Sequence, residues 1–190
     1  LGANRCVGFG ISDEAIKEAK ERAEKSGINC EFVRCDVYDI QPEYFNRFDM
    51  VYLTVGCIGW MPDLSAFFHI AASLLKDGGV IFLREIHPFS EMLLTDSADG
   101  DRLKIIEPYF RDEPVVETTG IDYVGKTQYE AKEQYWFVHT LSAIFSALIS
   151  NNFQLELFEE YPHDISAIHK KNELENAGIP LSMTIVARKK

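Results

Sequence analysis

Two histidines in this chain are of the type and placement that can move a proton. His87 follows an apolar run and precedes Pro88, and His139 closes the segment YWFVH just before a helical pattern. An imidazole titrates near neutral pH, so either ring can accept a proton from a nucleophilic oxygen or nitrogen. Both histidines are candidate catalytic residues. The alternative for each is an ordinary core histidine.

Large aromatic side chains accompany these histidines. They supply rigid apolar walls for a small organic molecule, and their faces attract positive charge. Three of them are candidate substrate-contacting residues: Trp60, Tyr135 and Trp136. For Tyr135 and Trp136, packing into the core is the simpler alternative.

Composition and charge narrow the partners. The chain has 190 residues and a formal net charge of −11, which argues against a nucleic-acid partner because such proteins need a positive surface. No apolar run approaches the ~20 residues of a membrane span. We therefore predict a cytoplasmic protein, a monomer or a homodimer, that acts on a small molecule and touches neither nucleic acid nor membrane.

The four cysteines match no zinc-binding spacing. They are Cys6, Cys30, Cys35 and Cys57. Their positions on or near apolar runs predict reduced, buried, structural thiols, and we predict no metal site.

The first of two strand–helix–strand patterns occupies residues 5–34. Arg5 to Phe9 is a short apolar run, Ser12 is a suitable helix N-cap, and Cys30 to Arg34 is a second run. The Asp36 that follows lies where the second strand ends.

The second pattern is clearer. Phe48 to Thr54 predicts a buried strand, Asp63 an N-cap, Gly78-Gly79 the end of a helix, and Val80 to Leu83 the next strand. Apolar residues spaced three and four apart predict the buried stripe of that helix: Leu64, Phe67, Phe68, Ala71, Leu74 and Leu75.

Alternating strands and helices predict an α/β fold with a doubly wound, mostly parallel sheet. Ligands of such sheets bind beyond the carboxyl ends of the strands. The loops Val55–Pro62 and Glu85–Pro88 should lie at those ends, so function is expected there.

The second half of the chain is less regular. Residues 89–139 contain short strand-like segments (IIEPYF, PVVETTG, IDYVG and EQYWFV), which predict a β-rich insertion between core strands five and six. This insertion is either a lid over the ligand or a satellite core. A helix over Thr140–Ser150 and a strand over Phe153–Tyr161 follow. The final strand, Leu181–Arg188, lacks a crossover helix before it and is predicted to be antiparallel.

With these pieces in place, the chain resembles the class I S-adenosylmethionine-dependent methyltransferases. The matching segments are VGFGISDEAIKEAKERAEKSG, FVRCDVYDI, FDMVYLTVGCIGW and LLKDGGVIFLREIHPF. The resemblance looks closest to a bacterial group with the segments Trp60–Leu64 and Glu85–Phe89. It implies one Rossmann-like domain over residues 1–190, S-adenosylmethionine as cofactor, and methyl transfer to an O, N or C atom of a small molecule.

The resemblance also implies which residues bind the cofactor. Asp36 would accept a hydrogen bond from the adenine amino group, and the N–H of Val37 would meet an adenine ring nitrogen. The alternative for Asp36 is a plain turn cap. The remaining cofactor positions lie in the loops after the second and fourth strands of the family: Gly10, Ile11, Thr54, Val55 and Gly56.

Two features depart from the family pattern. Gly10 stands where the family usually has an acidic residue that binds both ribose hydroxyls, and Asp13 or Glu14 would have to serve instead. The glycine-rich loop of the family should lie upstream of Leu1. We expect that the chain begins inside the domain and that one strand, that loop and a helix precede it.

Three other functions stay open. A non-catalytic protein with weakened cofactor binding would explain Gly10. A nicotinamide-dependent oxidoreductase is disfavoured by the reversed last strand and by Asp36. A pure interaction module would bind no small molecule.

Overall fold

The computed structural model describes residues 2–96, 98–119 and 130–190. The strands are β1 (Cys6–Gly10), β2 (Cys30–Arg34), β3 (Phe48–Leu53), β4 (Leu75–Ile86), β5 (Val115–Thr119), β6 (Glu130–Trp136), β7 (Phe153–Tyr161) and β8 (Ser182–Lys189). The helices are α1 (Asp13–Lys25), α2 (Leu64–Leu74), α3 (Leu141–Ser150) and α4 (Lys170–Leu174).

The first strand–helix–strand unit forms as predicted. β1 and β2 are parallel, with Cys6 beside Cys30 and Gly10 beside Arg34. The Ser12 hydroxyl caps α1 by accepting the N–H of Ala15 at 3.2 Å, which satisfies one of the free donors of the first turn.

The second unit also forms, but its helix ends earlier than predicted. Asp63 caps α2 by accepting the N–H of Ala66 at 2.9 Å, and all six residues of the predicted stripe are buried. The helix stops at Leu74 rather than at Gly78-Gly79. Backbone N–H groups of Asn46 and Arg47 donate to the carbonyls of Ser73 and Leu74.

The N–H groups of Asn46 and Arg47 thus satisfy the last carbonyls of α2, where a glycine cap was predicted. Leu75 then turns extended and pairs with Phe48, so β4 begins there and runs through Gly78. Gly78 has φ +76°, a left-handed turn within the strand.

The last strand is antiparallel, which confirms the prediction from its connection. β8 lies between β4 and β7 and runs antiparallel to both, while β3 and β4 are parallel. Helices α2 and α3 pack on this four-stranded sheet. Their shared core includes Phe68, Ile144 and Ile185.

The described strands form separate sheets where a single continuous one was predicted. Within the described residues, β1–β2 is a two-stranded sheet and no ladder joins β1 to β3. Packing links the two sheets instead, through a cluster centred on Ile40, Tyr44 and Leu74. The strand order implied by the resemblance is therefore not confirmed.

Part of the insertion is β structure. β5 and β6 form an antiparallel hairpin with Val116 beside Tyr135. The segment 105–110 contributes only a bridge between Leu93 and Ile105. The predicted strand at 121–125 lies outside the described residues.

The cysteines are less buried than predicted. All four are free, Cys6 is exposed, and the other three are partly exposed. Across the described ranges, no group of three or more potential ligand side chains could hold a metal ion. No helix among these residues has the length and apolarity needed to cross a membrane.

Candidate functional site

The loops after β2 and β3 meet at one edge of the molecule. The hydroxyl of Tyr38, just past β2, donates to the carbonyl of Asp63 at 3.1 Å. The same oxygen accepts the N–H of Asp63 at 3.3 Å. Because Asp63 begins α2 after the β3 loop, the carboxyl ends of β2 and β3 lie on the same side.

A buried carboxylate organises the β3 loop. Glu85 is 3% exposed near the end of β4. Its oxygens accept the N–H of Gly56 at 2.7 Å, of Ile58 at 3.3 Å and of Ile86 at 2.8 Å. Burial raises the pKa of this carboxyl, although the three N–H donors act to lower it.

The predicted adenine residues sit beside the end of β1. The N–H of Cys35 donates to the carbonyl of Gly10 at 3.0 Å, which brings Gly10 next to Asp36. One Asp36 oxygen accepts the N–H of Tyr38 at 3.0 Å, so this residue does cap the turn, as the alternative held. Ile11 is 62% exposed.

Asp13 does not evidently replace the ribose-binding carboxylate that the family has at the position of Gly10. A side-chain oxygen of Asp13 lies 3.2 Å from Nε of Arg34, so this carboxylate already has a cationic partner. Glu14 is exposed in the first turn of α1.

The other predicted cofactor positions lie on the loop that Glu85 holds. Thr54 and Val55 are exposed at the end of β3. Gly56 has φ +81°, which a residue with a side chain adopts only with strain.

Two of the three predicted substrate residues touch each other. The rings of Trp60 and Trp136 meet edge to face with centroids 5.0 Å apart. The Trp136 indole covers Gly59 so closely that a Cβ there would lie 2.4 Å from it. The N–H of Phe137 donates to the Gly59 carbonyl at 2.7 Å, so β6 docks on the β3 loop.

The third predicted residue is not part of this contact. Tyr135 is 46% exposed, and its hydroxyl donates to the Glu133 carboxylate at 2.8 Å.

His139 joins the same loop. Its Nε2 lies 2.8 Å from the carbonyl of Met61. Because a carbonyl only accepts, Nε2 carries the hydrogen. Burial lowers the pKa of His139, so the ring is neutral at pH 7.

His87 lies elsewhere. It is 4% exposed, its Nδ1 accepts the N–H of Phe89 at 3.1 Å, and its Nε2 lies 2.9 Å from Oε1 of Glu160 on β7. Burial lowers the pKa of His87 more than Glu160 raises it. The structure therefore does not bring His87 together with His139.

A narrow cleft opens between the β3 loop, the end of β4 and β6. Its enclosed cavity volume is about 20 Å³. The lining residues are Ile58, Gly59, Glu85, Ile86, Pro88, Glu91, Trp136, Phe137, Val138 and His139.

Two carboxylates of this cleft escaped the sequence-based selection of site residues. Glu85 belongs to the segment Glu85–Phe89 of the family resemblance, and an acid at the end of a buried strand is a recognisable sign of a site residue. Glu91 lies on an irregular segment that gave no pattern. One of its oxygens accepts Nε1–H of Trp136 at 3.3 Å.

Comparisons with known proteins fit this architecture. Residues 1–79 match a family model described as a methyltransferase domain. A candidate S-adenosylmethionine-dependent methyltransferase from Listeria monocytogenes superimposes with TM-score 0.70 at 17% identity, over 100% of this chain and 82% of that one. The chain has the fold of a class I S-adenosylmethionine-dependent methyltransferase.

Other proteins are also similar to this chain, in structure or in sequence. An S-adenosylmethionine-dependent methyltransferase from Mesorhizobium loti gives TM-score 0.69 at 21% identity, over 99% of this chain and 82% of that one. The cyclase SpnF gives 0.55 at 12% identity, over 96% and 65%. An uncharacterised protein of Methanocaldococcus jannaschii is 38% identical over 47 residues, which is 25% of this chain and 22% of that protein. Because a cyclase shares the methyltransferase fold, the reaction must be argued from the site.

Proposed function

We propose that this chain is the domain of an S-adenosylmethionine-dependent methyltransferase that methylates an O, N or C atom of a small molecule. The observation that carries the proposal is the Glu85 carboxylate, which holds residues 54–60 beside a cleft at the ligand-binding edge. The matched family region includes both cofactor loops, at 35–37 and 54–56.

The residues at that edge fit the cofactor in part. S-adenosylmethionine supplies a methyl group activated by a positively charged sulfur. Asp36 and Val37 would hold the adenine, and Thr54, Val55 and Gly56 would run beside the methionine part. Gly10 and Ile11 would lie beside the ribose and offer it only backbone groups and an apolar side chain.

The acceptor would bind on the other side of the β3 loop. Trp60 and Trp136 would form its wall, and the insertion 89–139 would form much of its pocket. Methyl transfer depends chiefly on holding the nucleophile in line with the methyl group. His139, neutral at pH 7, would take up a proton through the ring nitrogen that does not face Met61.

We assign His87 a different role from the proton transfer predicted for it. Its burial against Glu160 and its place outside the cleft suit a residue that positions the end of β4. Tyr135, exposed and paired with Glu133, would contribute only at the rim of the acceptor site.

A non-catalytic protein on the same fold is the second candidate. Its support is the lack of a ribose carboxylate at Gly10 together with the engagement of Asp13 by Arg34. The loss of charge-assisted hydrogen bonds to the ribose costs about 1.5–3 kcal/mol of binding free energy in total, which weakens affinity by about ten- to a hundredfold.

Calorimetric titration of S-adenosylhomocysteine into the full-length protein separates the two candidates. The methyltransferase proposal expects micromolar binding, and it expects Asp36→Ala to weaken binding about tenfold. Asp39→Ala, which alters an exposed neighbouring carboxylate, is the matched control and should bind like the unaltered protein. Absence of S-adenosylhomocysteine binding would support the non-catalytic candidate. Binding of NADH instead would support an oxidoreductase.

A further inference from the structure

Strands β1 and β2 place two cysteines side by side. Cys6 and Cys30 are the first residues of the two strands and are direct partners in the parallel pairing. Neighbouring strands lie about 4.7–4.9 Å apart, and the side chains of paired residues point to the same face of the sheet. Because a disulfide needs Cα atoms about 4.4–6.8 Å apart, this pairing brings the two thiols within bonding range of each other.

The two thiols differ in their surroundings. Cys6 is exposed and Cys30 is partly buried, and both are free. The pKa of Cys30 is raised to about 11, first by burial and then by the neighbouring Cys6 thiol, so the two side chains are close as well as the two backbones. Because this raised pKa keeps Cys30 protonated at pH 7, the exposed Cys6 is the thiol that an oxidant in solution meets first.

The other two cysteines lack such an arrangement. Within the described strands, Cys6 and Cys30 are the one pair of cysteines aligned across a ladder. Cys35 lies just past β2, and Cys57 lies on the β3 loop. Burial raises the pKa of both, and neighbouring carboxylates raise it further. These two thiols therefore serve as internal controls for the aligned pair.

We propose that Cys6 and Cys30 form a site of reversible oxidation, at which hydrogen peroxide converts the two thiols into an intramolecular disulfide. The inference goes beyond the proposed function, because the pair lies at the opposite end of β1 and β2 from Gly10 and Asp36 and needs no cofactor.

The reaction proceeds in two steps. The sulfur of Cys6, as its thiolate, attacks one oxygen of hydrogen peroxide, the O–O bond breaks, and water leaves behind a sulfenic acid. The sulfur of Cys30 then attacks the Cys6 sulfur, the S–O bond breaks, and the departing hydroxide takes the Cys30 proton to form a second water. Two thiols are oxidised to one disulfide, and one peroxide is reduced to two waters.

The bond would constrain the first strand–helix–strand unit. It closes a loop that contains α1, and a disulfide of this kind restricts the unfolded chain. Within the described residues, β1 and β2 form a sheet of their own, joined to the rest by the packing of apolar side chains. The oxidised protein should therefore unfold at a higher urea concentration than the reduced protein.

Peptide mapping identifies the bond directly. The reduced protein is treated with hydrogen peroxide, the remaining thiols are blocked with iodoacetamide, and tryptic peptides are weighed without reduction. Trypsin cleaves after lysine and arginine, which places Cys6, Cys30 and Cys35 on separate peptides, 6–17, 26–34 and 35–47. We expect peptide 6–17 joined to peptide 26–34, about 2 Da lighter than their sum, and separated again by dithiothreitol.

Single substitutions test the order of the two steps. In Cys30→Ser, oxidation should stop at the sulfenic acid of Cys6, which dimedone traps as an adduct on peptide 6–17. In Cys6→Ser, the same peroxide concentration should leave Cys30 unmodified. Cys35→Ser removes a neighbouring cysteine outside the pair, and as the matched control it should form the bond like the unaltered protein.

Three results would overturn the proposal. The first is a bond from Cys30 to Cys35, and the second is a bond between two protein molecules in place of the internal one. The third is no bond at a peroxide concentration that already oxidises methionines of the same protein. A bond that forms without raising the urea midpoint would overturn the inferred constraint on the first unit.

Discussion

The Glu85 carboxylate and the backbone N–H of Gly56 form a hydrogen bond of 2.7 Å between the end of β4 and the loop after β3. These groups are 29 residues apart in sequence, and the bond ties the loop to β4, the strand that pairs with β3. The loop in turn carries Gly59, on which Trp136 rests. The carboxylate therefore supports both the predicted cofactor side and the acceptor side of the site.

Replacing this carboxylate should loosen the loop. Glu85→Gln can keep the oxygen that accepts the N–H groups of Gly56 and Ile86, but it sets an NH₂ group against the N–H of Ile58. Because unsatisfied buried donors cost about 1–3 kcal/mol, we expect the free energy of unfolding to fall by about that much. Urea denaturation measures this change, and S-adenosylhomocysteine titration measures the accompanying loss of affinity.

Glu18→Gln removes a carboxylate that is exposed on α1 and paired only with Arg22. It should change the free energy of unfolding by less than about 0.5 kcal/mol. An equal effect of the two substitutions would show that the buried hydrogen bonds of Glu85 do not stabilise the loop.

The contact between Gly59 and Trp136 predicts an effect of adding one methyl group. A Cβ at position 59 would lie 2.4 Å from the indole, so Gly59→Ala must displace either the ring or the loop. Overpacking of this kind costs about 1–3 kcal/mol. We expect lower stability in urea and a red-shifted tryptophan emission as Trp136 becomes more exposed.

Gly10→Ala is the matched control for that experiment. A Cβ there would meet Ile16 at 3.5 Å, an ordinary contact. Its emission spectrum should equal that of the unaltered protein, and an unshifted spectrum in Gly59→Ala as well would contradict the packing of β6 on the loop.

Local sequence rules accounted for the elements whose partners are close in the chain. Ser12 and Asp63 cap their helices as expected, because an N-cap depends on residues two or three positions away. The stripe of α2 is buried because its spacing already defines one helical face. The reversed direction of β8 was predicted because the sequence before it lacks the apolar stripe of a crossover helix, and the structure has only the five-residue helix α4 there.

Features that depend on residues far apart in the sequence could not be predicted from such local patterns. The end of α2 depends on N–H groups of Asn46 and Arg47, which reach its carbonyls from the turn before β3. The contact of His87 with Glu160 joins the end of β4 to β7, far along the chain. The place of Glu91 in the cleft depends on where an irregular segment meets β6.

Buried histidines predict that the protein loses stability in mild acid. Burial lowers the pKa of His87, His139 and His169 in the folded state, whereas the ordinary value is 6.5. The folded state then binds fewer protons than the unfolded state, so this stability is complete above about pH 6.5 and is lost as the pH falls. Glu85 acts in the opposite direction, because its raised pKa favours the folded state as the pH falls towards 4.5.

We therefore expect the free energy of unfolding in urea to decrease from pH 7.5 to pH 5.5. His139→Gln should make this decrease smaller, since one of the three titrating groups is gone. His69→Gln alters an exposed histidine of α2 and should keep the original dependence. A pH profile that His139→Gln leaves unchanged would show that this residue is not the cause.

The absence of a carboxylate at position 10 leads to a gain-of-function prediction. The φ of Gly10 lies outside the left-handed region, and a Cβ there meets only the end of the Ile16 side chain, so a side chain can start at this position without strain. Gly10 adjoins Asp36 through the Cys35 N–H, which places the new carboxylate beside the proposed ribose position. We expect Gly10→Asp to raise the affinity for S-adenosylhomocysteine about ten- to a hundredfold, because charge-assisted hydrogen bonds to the ribose would add about 1.5–3 kcal/mol in total. Gly10→Asn offers a neutral acceptor of the same size and should give a smaller gain.

Equal affinity in the unaltered protein and in both variants would show that the cofactor does not place its ribose at β1. Binding that appears only in Gly10→Asp would instead identify a methyltransferase fold whose cofactor site has been lost.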